Sequence, residues 1–244
     1  MTSSLAPLSR SMVNRAVADA KTVLDHYEFT LPEFGQWTPA QWEDAGAEYD
    51  PIRGRMLGWD VTDFGSGDFH RIGRVLFTLR NGSVGNVIRN RVYAEKVLID
   101  PEGQRAPAHW HRSKCEDIIC RHGGNILVQL TSLDGDGQPA KGSLDIEYDG
   151  TARRISSGET VRLRPGQSVT IQPGTLHQFW GEEGTGWKLD GIGYTLSSEI
   201  SSTCDDWNDN VFLAPAARFP SLAEDEPRQA YLCHEYPQAR RDRA

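Results

Sequence analysis

His109 and His111 stand two residues apart in the run from Gly103 to Gly123, GQRAPAHWHRSKCEDIICRHG. Successive side chains of a strand alternate faces, so both imidazoles project to one side and can grip one ion. Glu116 lies five residues beyond His111, an odd step that an unbroken strand would send to the opposite face. A turn over the polar residues Arg112 to Cys115 would restore Glu116, at the start of a returning strand, to the metal side. His177 is the candidate fourth ligand, because in PGTLHQFWG the pair Pro173-Gly174 turns the chain and delivers a histidine onto the next strand. Three imidazoles and one carboxylate suit manganese, iron, cobalt, nickel or zinc and leave one or two positions exchangeable. Open positions imply chemistry.

The elements that must hold these residues can be read from periodicity. Ser9 or Ser11 caps a helix whose residues Val13, Ala16, Val17, Ala20, Leu24 and Tyr27 form one apolar stripe. Thr38-Pro39-Ala40-Gln41 is a capping box with proline at the first helical position, opening a short helix at Trp42 that Trp37 and Trp42 anchor. From Leu57 to Gly85 the composition predicts loops and one strand, Val75 to Leu79. Short alternating runs punctuated by turn residues then extend from Val87 to about Ile200, the pattern of an antiparallel sandwich or barrel. The strands expected there are Arg91 to Asp100, Ile126 to Leu133, a hairpin around Asp149-Gly150, Val161 to Arg164, Ser168 to Ile171, His177 to Trp180 and Trp187 to Ser198. The reading is one domain over 1–244: helices and loops over 1–86, a closed or nearly closed barrel over 87–200 with the first helix packed outside, and loops and tail over 201–244.

Composition excludes some partners. A formal charge of −8 offers no basic field for nucleic acid or an anionic membrane. No uninterrupted apolar run approaches 20 residues, and the first 20 residues carry no cleavage signature, so neither membrane insertion nor secretion is expected. Cys115, Cys120, Cys204 and Cys233 are too few and too scattered for a disulfide framework, which fits a reducing, cytoplasmic setting.

The spacing of Gly103, His109, His111, Glu116 and Gly123 resembles the first motif of the cupin family, and Gly166, Gly174 and His177 resemble the second. Further segments narrow the likeness: LPEFGQWTP, LGWDVTDFGSGDF, YAEKVLI, HWHRSKCEDIICRHGGNILVQL, PGTLHQFWG and SEISSTCDDWNDNVF resemble the D-lyxose isomerases. The resemblance implies a mainly β, cupin-type jelly roll. It also implies a manganese-dependent homodimer that converts D-lyxose to D-xylulose and D-mannose to D-fructose, while the ligand set itself leaves Co2+, Ni2+, Zn2+ and Fe2+ as alternative ions.

Aldose–ketose isomerisation moves a proton between C1 and C2, so it needs a Lewis acid on the sugar oxygens and a poised acid or base. Lys114, on the turn beside the ion, is one candidate, and a neighbouring dication should lower its pKa. Glu199, near the end of a strand late in the chain, is the other: a carboxylate able to shuttle the proton through an enediol. Asp206 and Arg218 are candidates for the sugar hydroxyls. Trp110 points away from the metal by parity, and His122 follows the strand that Glu116 starts, so neither is expected to bind the ion. The same ligands could hold ferrous iron in a dioxygenase. A phosphosugar isomerase, with Arg112, Lys114 and Arg121 on the phosphate, and a non-catalytic sugar-binding cupin are the other readings.

Overall fold

The computed structural model describes residues 7–84 and 91–240. The expected barrel start at Val87, and the last four residues of the tail, lie outside them. Helix α1 spans Arg10–His26, and its N-cap is Ser9, whose hydroxyl accepts from the Met12 N–H at 3.3 Å. Its stripe Val13, Val17, Ala20, Val23 and Leu24 is buried. The capping box at Thr38 forms as expected and opens α2 (Pro39–Asp44), followed by α3 (Asp50–Gly54). Trp42 is 2% exposed and sits among Trp37, Tyr49, Tyr231 and Tyr236, with its ring 4.1 Å from that of Tyr236. Trp42→Ala is therefore expected to cost about 3–5 kcal/mol of stability in a urea titration, the usual range for emptying a buried aromatic site.

Fourteen strands make up the rest of the described chain: β1 (Gly58–Thr62), β2 (Arg74–Arg80), β3 (Tyr93–Pro101), β4 (His109–His111), β5 (Glu116–His122), β6 (Ile126–Thr131), β7 (Ser143–Tyr148), β8 (Thr151–Ser156), β9 (Glu159–Leu163), β10 (Ser168–Ile171), β11 (Leu176–Gly181), β12 (Trp187–Leu189), β13 (Ile192–Ser202) and β14 (Asn210–Phe212). All their pairings are antiparallel. They form two sheets, one in the order β1-β2-β3-β13-β5-β10-β7-β8 with β12 appended to β13, the other β14-β4-β11-β6-β9. The fold is thus mainly β, of cupin jelly-roll type.

Three expectations are corrected. The ladder does not close into a barrel: β1 and β8 end one sheet, β14 and β9 the other. The stretch 57–73, read as loop, contains β1, which extends the larger sheet before residue 87 and was masked by Gly58 and Asp60 in so short a run. The run Trp187 to Ser198 is two strands, because Asp190 and Gly191 take positive φ values of 50° and 87° and turn the chain into a hairpin. The hairpin at Asp149-Gly150 has the same signature and matches the expectation.

Strand parity decides what faces the site. The larger sheet is covered on one side by α1, which packs on Trp59, Val61, Val75, Phe77, Val97 and Ile99. On the other side Leu76, Leu98, Ile118 and Cys120 meet Ile126, Val128, Leu130 and Phe179 of the smaller sheet. Lys96 and Asp100 share the parity of Leu98, so β3 sends two charges between the sheets. Glu199 on β13 lies directly opposite Lys96.

Candidate metal centre and active site

The turn between His111 and Glu116 crosses from one sheet to the other, since β4 belongs to the smaller sheet and β5 to the larger. It brings Glu116 back toward the histidines as the odd spacing requires. Asp209 fastens this turn: its Oδ1 accepts the Ser113 N–H at 2.8 Å and the Ser113 hydroxyl at 2.7 Å, and its Oδ2 accepts the Lys114 N–H at 3.2 Å. His177 on β11 is the register partner of His109 on β4, so the second motif arrives beside the first by direct strand pairing.

One ring nitrogen each of His109, His111 and His177 lies within 4.8 Å of the others. Glu116 Oε1 is 2.9 Å from His177 Nε2 and 3.4 Å from His111 Nε2. These three atoms are buried and have no hydrogen-bond partner among the described residues. Leaving so many polar atoms unsatisfied in one place is costly unless an ion completes them. The opposite ring faces are anchored: His109 Nδ1 and His177 Nδ1 each lie 2.9 Å from a backbone carbonyl, Pro107 and Thr175, which as acceptors fix the tautomer that leaves Nε2 free to ligate. Burial pushes His109 well below, and His111 below, the ordinary histidine value, so both rings are neutral donors. For Glu116 burial acts upward, but Lys114, His111 and His177 outweigh it and hold the carboxyl well below its usual range. Neutral imidazoles with an ionised carboxylate are the protonation states that a divalent transition ion needs. His177→Ala should lower bound manganese sharply; one full equivalent retained at this centre under mild chelation would exclude His177 as a ligand.

Lys114 and Glu199 meet. Lys114 Nζ donates to Glu199 Oε1 at 2.7 Å and lies 2.7 Å from Glu116 Oε2. Burial works against the ammonium, yet Glu116 and Glu199 outweigh it, and Lys114 is held above the ordinary lysine value. The protein's own charges thus act opposite to the lowering expected from a dication. Glu199 is lowered: burial opposes its charge, but Lys114 and Lys96 prevail. Asp206 and Arg218 reach the same pocket, 3.5 Å apart, and Arg218 also pairs with Asp60. The cleft is lined by His109, His111, Lys114, Glu116, Glu199, Asp206 and Arg218, with Phe64, Phe179 and Phe212 as apolar walls. A larger groove of about 620 Å³ beside α1 contains none of these residues. Trp110 lies under Arg112, outside the cluster as parity implied, and His122, the last residue of β5 rather than a residue beyond it, lies outside the cluster beside Tyr27.

Two site residues escaped sequence reasoning. Lys96, 3% exposed, lies 3.4 Å from Glu199 Oε1 and 3.7 Å from Asp206 Oδ1. The available signal was a lysine inside the apolar run AEKVLI. Asp209 left no comparable signal, since its role depends on the backbone of a turn almost one hundred residues away.

The model of the D-lyxose isomerase family matches residues 8–236. The chain belongs to this family. It is 39% identical to the D-lyxose/D-mannose isomerase of Escherichia coli O157:H7, over 96% of this chain and 100% of that protein. It is 40% identical to the Serratia proteamaculans D-lyxose/D-mannose isomerase, over 93% and 96%. The L-ribose isomerase of Acinetobacter sp. DL28, solved in complex with L-ribose, superposes with a TM-score of 0.60 at 14% identity, covering 91% of this chain and all of that one. That likeness speaks for the fold. Among the described residues no helix is long and apolar enough to cross a membrane.

Proposed function

We propose that this chain is a single-domain aldose–ketose isomerase that interconverts D-lyxose with D-xylulose and D-mannose with D-fructose, works with manganese and acts as a cytoplasmic homodimer. The observation that carries the reading is the Lys114–Glu199 pair, held at 2.7 Å beside the three-histidine centre in a family whose relatives carry these activities in their names.

His109, His111, Glu116 and His177 would hold the ion. Bound there, it would supply a Lewis acid for the sugar oxygens. Glu199, kept ionised by two lysines, accepts the proton from C2 and returns it to C1. The electron pair left at C2 forms the C1–C2 double bond of an enediol. Lys114, an ammonium, donates a proton to O1 and recovers one from O2 as the ketone forms. Asp206 and Arg218 accept from and donate to the remaining hydroxyls, and the three phenylalanines limit water around the enediol. Running the manganese-loaded protein on D-lyxose in deuterated water should place solvent deuterium in the product or the recovered sugar. No turnover of any aldopentose or aldohexose with manganese, cobalt or nickel would overturn the reading.

A further inference from the structure

A second group of ligand-type side chains lies beside Arg218, outside the histidine centre. Asp60, Cys233 and His234 each bring one ligating atom within 4.8 Å of the other two. Their meeting is built into the fold: the C-terminal segment runs parallel to β1, Leu232 pairs with Trp59, and the Cys233 N–H donates to the Trp59 carbonyl at 2.7 Å. Asp60 is 1% exposed and splits its carboxylate. Oδ2 accepts from Arg218, whereas Oδ1 is buried with no partner among the described residues. His234 Nδ1 is buried and unpartnered in the same way. A buried carboxylate oxygen and a buried ring nitrogen, both unsatisfied and both close to a thiol, are costly to keep without a ligand between them.

We propose that Asp60, Cys233 and His234 form a second divalent-ion site, of zinc-like preference, distinct from the centre of His109, His111 and His177. The donor set decides the class. A thiolate with an imidazole and one carboxylate suits zinc or cobalt and disfavours magnesium and calcium, which take oxygen ligands. Arg218 does not bar the ion, because its charge is already met by Asp60 Oδ2 and by Asp206. Binding would release the Cys233 thiol proton to solvent. The ion would tie the C-terminal segment to β1 and fix Asp60, the residue that aims Arg218 at the sugar pocket.

The test does not depend on isomerase activity. Only this second site offers sulfur, so cobalt bound there gives a near-ultraviolet sulfur-to-cobalt charge-transfer band, and cobalt at the histidine centre does not. Titrating the stripped full-length protein with cobalt should show two equivalents, one of them bringing the band. Cys233→Ser should lose the band and one equivalent. His234→Gln, at a partly exposed position that folding should tolerate, should weaken the band-forming equivalent by about tenfold or more. His177→Ala should keep the band. One equivalent without a band in the unmodified protein would overturn the proposal, as would a band undiminished in both Cys233→Ser and His234→Gln.

Discussion

Glu199→Gln is expected to lower kcat roughly 10²-fold or more, with metal content unchanged, because general acid–base groups typically contribute 10²- to 10⁴-fold. Glutamine keeps the size of the side chain and can still accept the hydrogen bond that Lys114 Nζ gives to Oε1 at 2.7 Å, but it cannot take a proton from carbon. The loss should fall on kcat and kcat/KM together, the signature of an interaction used in the transition state. Lys114→Met should give a loss of similar size by a different route. It removes the ammonium that stands between Glu116 Oε2 and Glu199 Oε1, and with it the donor to the sugar oxygen. Normal turnover in both variants would discard this pair as the proton carriers and leave the isomerase reading to the deuterium experiment.

How far the sequence reached can be seen residue by residue. The candidate ligands His109, His111 and Glu116 were legible because their spacing is local: two histidines on one face of β4, then an odd step that demanded a turn. The turn at 112–115 is there, and it crosses between the sheets. α1 and its stripe, the Thr38 capping box and the hairpin at Asp149-Gly150 were legible for the same reason, since each is a pattern within a few residues. β1 was not, because GWDVT is short, and its Asp60 reads as polar while being buried against Arg218. Lys96 was hidden by β3 being buried on both faces over most of its length, which replaces the expected alternation with an apolar run, Val97 to Ile99, flanked by charges at Lys96 and Asp100. Barrel closure is a property of which edges pair, and no run of residues within one strand encodes it. Asp206 and Arg218, singled out on residue type alone, reach the pocket through the C-terminal segment, which sequence composition rendered only as loop.

Lys96→Met is expected to destabilise the protein by about 3 kcal/mol and to move the acid limb of kcat/KM to higher pH. Methionine nearly matches the lysine stem, so packing between the sheets is kept and the change is mainly one of charge. Nζ lies 3.4 Å from Glu199, 3.7 Å from Asp206 and 3.1 Å from Cys204 Sγ in a site that is 3% exposed. Removing one partner of a buried ion pair costs about 3–5 kcal/mol. The low end applies here because Lys114 still faces Glu199 and Arg218 still faces Asp206. The sign of the pH effect follows from the depressed carboxyls. For both groups burial acts upward and Lys96 downward, and the folded values lie below the unfolded ones. Their contribution to stability is present above the unfolded carboxyl values, about 4, and is lost as pH falls through the folded values. Without Lys96 those folded values rise, so both the loss of stability and the protonation of Glu199 begin at a higher pH. Lys96 itself is raised well above the ordinary lysine value, so its own share is complete below about pH 10 and lost only as pH climbs through the folded value. Thermal melts and kcat/KM profiles between pH 4 and 8 measure both effects. An unchanged melting temperature with an unmoved acid limb would mean that Lys114 and Arg218 alone hold the two carboxylates ionised.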